Sequence, residues 1–439
     1  MGWLRARRRQ VLLLAITALL AAAAAAAVTA FHSQERLLPT SRPRTCLRAV
    51  ESQTDAQAAP ATSPSPWQTL VDMYSGTKTT HSDREYRLIT GLPLKPFFER
   101  ETRRYDAGQG MWTFEQEQAF FNVSTNIRMT AVQLPSGGLW VHAPVAPTLE
   151  CQRLLREVGE VEHIVLPTTA LEHKVYMRDF TRAYPKAQVW VCPGQWSWPI
   201  NLPLRFRVDG MLVKKIHIPP RPIKLAPSLA QETPPWADDI DLALFSPPVM
   251  GLGPTNECVF FHKKSRTLLV TDTVIHIGVE PPDIIPVPAL LASSVEEGEP
   301  LPPDTLAARR KGWAKMALQI LFLGPATADT FQIVSQKIFV SPVIRIFVLQ
   351  RAKASVRQFV DEVTKWPFTR IIPCHFKGPV AATPNDFRAA FSFAFDEEKP
   401  LKPPPQPRSG VQSFFGSLSL KQARQLPQDP LASIPAQDL

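Results

Sequence analysis

A chain of 439 residues with 44% hydrophobic and 20% charged residues can bury a full core, and its 45 prolines are about twice ordinary usage. The formal charge of +10 is concentrated in Arg5, Arg7, Arg8, Arg9, Arg36, Arg42, Arg44 and Arg48, so the remainder carries no basic surface of the kind nucleic acid requires, and no nucleic-acid partner is expected. Five cysteines, odd in number, widely spaced and without a CxxC pair, argue against a disulfide framework and a zinc ribbon.

Behind the arginine cluster, residues 11–30 are uncharged, apolar and alanine-rich, and end in Val28, Thr29 and Ala30, small residues that suit a signal peptidase. The stretch reads as a secretory signal, and an uncleaved anchor stays open because its length at 1.5 Å per residue matches a bilayer core of about 30 Å. Residues 31–66 are rich in Arg, Ser, Thr and Pro and poor in acids, as a transit peptide is. A signal followed by such a stretch, with Phe31 directly after the cut, resembles the two-part presequence of algae whose plastids came from a secondary endosymbiosis. That resemblance implies a plastid destination through the secretory pathway. A secreted or single-pass protein with a disordered stalk is the alternative, and Asn122-Val123-Ser124 is a sequon that such a protein could use.

The folded part is expected over 67–396, with its core over about 127–396 and a polar, proline-rich tail over 397–439. Residues 127–134 and 139–143 are β-rich runs joined by Pro135-Ser136-Gly137-Gly138, a hairpin signal. A helix over 148–158, a strand over 163–166, a helix over 174–183 and a strand over 188–191 follow from the apolar spacing. Strands over 241–245, 258–262 and 267–275 come next, the last two joined by a turn at 263–266. These mixed signals predict an α/β fold of two sheets flanked by helices. Residues 305–363 form an insertion expected to be mostly helical, with apolar runs over 311–323 and 333–349. Neither run suits a membrane span: the first is short, and the second carries Gln336, Lys337, Pro342 and Arg345. The insertion packs on the sandwich or presents 311–349 to a protein partner.

No glycine-rich phosphate loop, nucleophile elbow or HExxH is present. Polar residues do gather just after the strand runs 163–166, 267–270 and 370–372: Glu172 and His173, Asp272, and His375. Taken singly, Glu172 suits a helix start, Asp272 a turn and His375 a packed core. His142 has no motif position, His262 and Lys263 read as a solvated hairpin end, and Trp190, Trp196 and Trp198 as core cover or pocket lining.

At these positions the sequence resembles the metallo-β-lactamase-like fold, an αββα sandwich whose first metal motif, HxHxDH, follows a strand at this point in the chain order. It is most similar to domain-of-unknown-function family 4336 of plants, algae and cyanobacteria. The residues that carry this likeness are Pro193-Gly194-Gln195-Trp196-Ser197, Asn256-Glu257, Val259-Phe260-Phe261-His262-Lys263, Ser265-Arg266-Thr267-Leu268-Leu269 and Ile371-Ile372-Pro373-Cys374-His375-Phe376. The resemblance implies that one family metal site is lost, because Thr168 and Ala170 stand where two histidines belong and no histidine stands near Leu252 or Gly253. The other site would be Glu172, His173, Asp272 and His375, with glutamate in place of the family's aspartate. Two imidazoles and two carboxylates form a mixed N/O set for one divalent zinc, iron or manganese. The function implied is mononuclear metal-dependent hydrolysis of a small ester, thioester or phosphoester, with an unidentified small-molecule substrate. The alternative is a non-catalytic sandwich that binds a partner and carries a degenerate motif.

Overall fold

The computed structural model describes residues 82–87, 97–120, 123–195, 206–212, 233–248, 254–296, 299–321, 323 and 327–396. The expectations for residues 1–66, the sequon, Trp196, Trp198, Leu252, Gly253 and the tail lie outside them. The chain divides into two compact units, one ending at Glu99 and one beginning at Arg100. In the first, β1 (Glu85–Arg87) pairs antiparallel with β2 (Phe97–Glu99).

The second unit opens with a seven-stranded sheet in chain order: β3 (Arg103–Gly108), β4 (Met111–Phe120), β5 (Val123–Gln133), β6 (Leu139–His142), β7 (Val161–Leu166), β8 (Gln188–Val191) and β9 (Gly210–Met211). Strands β3 to β6 run antiparallel and β6 to β9 parallel. The β5–β6 hairpin turns where the sequence predicts it, with Gly137 at φ 91°, a conformation that side chains other than glycine's resist. Parallel neighbours need crossovers: α1 (Leu149–Arg156), capped by Thr148, links β6 to β7, while α2 (Leu171–Lys174) and α3 (Met177–Ala183) link β7 to β8. The sheet begins at Arg103, upstream of the expected core boundary at 127. The polar content of β4, with Glu115, Gln116, Glu117 and Gln118, hides it from a hydrophobic-pattern reading.

The second sheet has the order β10 (Ile240–Phe245), β11 (Glu257–His262), β12 (Thr267–Leu269), β15 (Arg370–Ile372), β16 (Val380–Ala381), with β12 and β15 parallel. The two sheets share one core. Met111, Trp140, Val165 and Trp190 of the first meet Phe260, Leu269 and Ile372 of the second, and Trp140 meets Phe260 edge-on at 5.0 Å. On its other face the second sheet buries Phe261, Leu268 and Ile371 against α8 (Lys353–Val363) and α9 (Pro384–Ala390), followed by α10 (Ser392–Phe395). The crossover helices α1 and α3 have only the outer face of the first sheet left to them. The architecture is the αββα metallo-β-lactamase-like sandwich that the resemblance implied.

Between β12 and β15 lies the insertion: β13 (Ile275–His276), α4 (Val287–Ser293), α5 (Leu306–Ile320), α6 (Ala328–Val334), β14 (Ile338–Phe339), α7 (Pro342–Phe347), a 3-10 turn (Leu349–Arg351) and α8. Its core unites Ile277, Leu290, Trp313, Met316, Phe331 and Phe376. Gly312 lets α5 close on α4, since a Cβ there would collide with the Leu290 carbonyl. Two expectations change here. The run 333–349 is broken into α6, β14 and α7, the last started by Pro342, which fits only the first turn of a helix. The strand expected over 267–275 stops at Leu269 and pairs anew at Ile275. His262 also departs from a solvated hairpin end: it is buried, with Nδ1 2.7 Å from the Ser265 hydroxyl. Among the described residues, no helix is long and apolar enough to cross a membrane.

Candidate metal centre

Three strands end together at one rim of the sandwich. Beyond β7, the Pro167 carbonyl accepts from Cys258 N at 2.6 Å and Thr169 N donates to the Asn256 carbonyl at 3.0 Å, so the first sheet is tied to the start of β11. The chain then enters α2, which contains Glu172 and His173; both lie within this short helix rather than in a loop before it. Beyond β12, the amides of Thr271, Asp272 and Thr273 donate to the Glu257 carboxylate at 2.7, 3.2 and 3.3 Å. A buried carboxylate thus folds the loop that presents Asp272. Beyond β15, Cys374 N donates to the Thr271 carbonyl and Arg128 N to the Cys374 carbonyl, which seats His375 beside the other two loops.

His173 Nε2 lies 3.3 Å from His375 Nε2 and 3.5 Å from Asp272 Oδ2, while His375 Nε2 lies 3.6 Å from Asp272 Oδ1. One ligand atom from each of the three residues falls within 4.8 Å of the others. A tetrahedral ion with bonds of about 2.0–2.1 Å holds its ligand atoms about 3.3–3.4 Å apart, so the imidazole pair has the spacing of two such ligands. His375 Nδ1 lies 2.9 Å from the Asn126 carbonyl oxygen and must donate its proton there, which leaves the Nε2 lone pair facing the centre. Of the four residues named from the sequence, His173, Asp272 and His375 are brought together. Glu172 stands apart from that ligand group, half-buried in the wall of the adjoining cavity.

The electrostatics favour a cation. Burial opposes charge on His173, but Asp272, Glu172 and Glu257 outweigh it and raise its pKa. Burial likewise opposes charge on Asp272, and His173 and His375 outweigh it, so its pKa falls. Burial and then the Asp272 charge push Glu172 and Glu257 upward. His375 is driven down to about 4 by burial. Three carboxyl groups around two imidazoles are satisfied either by a proton on His173 or by a divalent ion, and the two compete.

A buried support, missed by pattern reading, lies behind His375. Arg128 Nη2 is 2.6 Å from Glu115 Oε1, and the guanidinium also donates to the carbonyls of Pro373 and Phe376. Asn126 accepts from Phe376 N at 2.8 Å and donates to the Phe376 carbonyl and to Glu115. Phe376 is held at φ 59°, an unfavourable conformation for an aromatic residue. These clamps hold it there and thereby fix His375. The available signal was Arg128 itself, a charge inside a strand run. His142 lies behind the centre, stacked on Trp140 and driven to about pKa 3 by burial and then by His173.

Next to the centre lies a cavity of about 260 Å³. Its polar lining includes Glu172, Asp272, His375, Gln118 and Thr125, and its apolar lining includes Phe245, Ile344, Val348, Leu349 and Phe359. Thr168 and Ala170, at the positions of the missing histidines, also line it. Thr168 is committed to backbone contacts, its hydroxyl bonding to the Asn256 carbonyl and accepting from Ala170 N.

Residues 108–335 and 327–393 match the family described as a domain of unknown function (DUF4336). No curated protein is similar to the chain in sequence. The fold is similar to the metal-soaked flavodiiron core of Flv1 from Synechocystis sp. PCC6803, at 9% identity and a TM-score of 0.36 over 68% of this chain and 62% of that one. It is also similar to a metallo-β-lactamase of Hirschia baltica, at 8% identity and 0.33 over 67% and 97%. A third likeness is to a metallo-β-lactamase of Pseudomonas aeruginosa in its mono-zinc form, at 10% identity and 0.32 over 67% and 95%. At these scores the likenesses carry nothing about this chain's chemistry, which rests on its own residues.

Proposed function

Because the chain belongs to the DUF4336 family, whose description names no activity, we propose from its own site that it is a metal-dependent hydrolase of a small ester or thioester. The observation that carries this reading is the pair of facing imidazole nitrogens at 3.3 Å, with the His375 lone pair aimed inward by its bond to Asn126. His173, Asp272 and His375 would hold one divalent zinc, iron or manganese, which would lower the pKa of a water and polarise the bond to be cut. Glu172 lines the same cavity outside the ligand group, and burial followed by the Asp272 charge raises its pKa, which favours its holding a proton part of the time, as a proton carrier must. In hydrolysis a new C–O bond forms from water as the acyl–oxygen or acyl–sulfur bond breaks. Glu172 takes the water proton and returns it to the departing oxygen or sulfur. Phosphoesters fit less well, since their charge would face Glu172, Asp272 and Glu257.

The test is hydrolysis of acyl esters and thioesters by the purified chain, before and after chelation. Turnover that vanishes with the metal and in Glu172→Gln supports the reading. Retained metal with no turnover of either class favours a sandwich that binds without catalysing. The arginine-led residues 1–30 and the acid-poor stretch that follows support delivery to a plastid through the secretory pathway.

A further inference from the structure

Gln118 of β4 and Thr125 of β5 are direct cross-strand partners. They are 1% and 3% exposed, and both line the cavity beside the candidate centre. The amide nitrogen and oxygen of Gln118 and the hydroxyl of Thr125 make no hydrogen bond within the described residues. Buried polar groups are ordinarily paired, and each left unpaired is costly. Nearby polar groups on the same strands do have partners: Gln116 bonds to Thr102 and to Ala146, and Ser124 to Glu117. On β4 and β5 the unpaired buried side-chain atoms thus belong to the two residues that face the cavity, and Asn256, whose side-chain oxygen is also unpaired, lines the same cavity.

Gln118 presents a donor and an acceptor side by side, so its natural complement carries both, as an amide or a carboxylic acid does. A carboxylate is disfavoured, because Glu172, Asp272 and Glu257 line the same cavity. The remaining wall is hydrocarbon. Ile344, Val348 and Leu349 come from the insertion and continue into the cluster of Phe245, Phe359 and Phe391. A volume of about 260 Å³ has room for roughly nine groups of water or methylene size, at about 30 Å³ each.

We infer that the cavity takes a medium-chain acyl compound whose hydrocarbon lies against Ile344, Val348 and Leu349 while a neutral amide is hydrogen-bonded by Gln118 and Thr125. This deepens the hydrolase reading and rests on it for the bond that is broken, though not for binding. It makes the insertion the wall that selects chain length, and it makes the β4–β5 pair the element that distinguishes an amide-bearing substrate from a free acid.

The experiment is calorimetric titration of the full chain with straight-chain primary amides from butanamide to decanamide, on protein as purified and after chelation. Affinity should rise about fourfold per methylene, the effect of burying one such group, and level off as the cavity fills. Gln118→Leu should weaken every amide by about five- to tenfold and leave the chain-length slope unchanged. Val348→Trp should bring the plateau to shorter chains; Leu349→Phe is the milder version should the first not fold. An absence of chain-length dependence in the unmodified protein, or a Gln118→Leu protein that folds and binds amides unchanged, overturns the inference. A normal series in protein that never retains metal would instead remove the hydrolase reading and leave the pocket standing.

Discussion

The Nδ1 of His375 stands 2.9 Å from the carbonyl oxygen of Asn126, and this contact decides which nitrogen of the ring faces the candidate centre. The same Asn126 holds Phe376 through its side chain, so one residue of β5 fixes both the tautomer of the ligand and the backbone next to it. Asn126→Leu should strip partners from the Phe376 N–H and from Glu115 and cost about 2–4 kcal/mol in urea unfolding. Metal affinity should fall by about 10- to 100-fold, because Phe376 loses its side-chain anchor and His375 with it loses its fixed position, an outer contact of the ligand. A stable variant with unchanged affinity would show that the backbone contact suffices.

The buried pair Arg128–Glu115 should respond asymmetrically. Arg128→Met leaves Glu115 charged and unpaired and should cost about 3–5 kcal/mol, whereas the double change with Glu115→Leu should recover part of that. Equal losses in the single and double variants would mean that the carbonyls of Pro373 and Phe376, not the ion pair, are what Arg128 chiefly serves.

Much of the sandwich was legible because β5, β6, β7, β8, β10 and β11 carry apolar runs bounded by turn residues, and the hairpin at Gly137 declares itself. Strand β4 was not, since its buried Glu115, Gln116 and Gln118 are satisfied or presented only in the folded state. The centre was half legible. His173, Asp272 and His375 follow strand ends and fit a known motif, but nothing in their spacing shows that Glu172 stays outside the ligand group. Glu257 was read only as a mark of resemblance. Its grip on three consecutive amides exists only once β11 and the β12 loop are adjacent.

His142 offers a pH test that avoids the ligands. It is buried and its pKa is driven down to about 3, so the unfolded chain binds its proton first as pH falls below about 6.5. Stability is then present above pH 6.5 and lost on acidification. Between pH 6.5 and 5 the wild type should lose about 1.6 kcal/mol relative to His142→Phe, measured as the difference in urea stability of the two proteins at each pH. A difference that does not vary with pH would mean that His142 keeps an ordinary pKa.

The plastid proposal is tested with residues 1–66 fused to a fluorescent protein in a host with a complex plastid. The fusion should enter the plastid, and Phe31→Ala should strand it outside. Fluorescence of the unmutated fusion at the cell surface or in the vacuole would contradict the address.

The competition of a proton on His173 with a cation implies that metal uptake weakens on acidification. Because His173 has a raised pKa, affinity should already be falling as pH drops toward 6.5, by up to about tenfold per unit for each proton displaced. Uptake that is flat from pH 8 to 6 would place the proton elsewhere.

The most direct measurement is the metal content of the purified chain beside Asp272→Asn and His375→Gln. Asp272→Asn keeps the shape and removes the charge, and His375→Gln keeps a polar group and removes the imidazole. The wild type should retain close to one equivalent of zinc, iron or manganese. Each variant should retain essentially none, and the double variant should be no worse than either single, because ligands of one site act as a unit. Less than about a tenth of an equivalent in the wild type, under conditions that load a control hydrolase, or full retention in both variants, would contradict the metal centre.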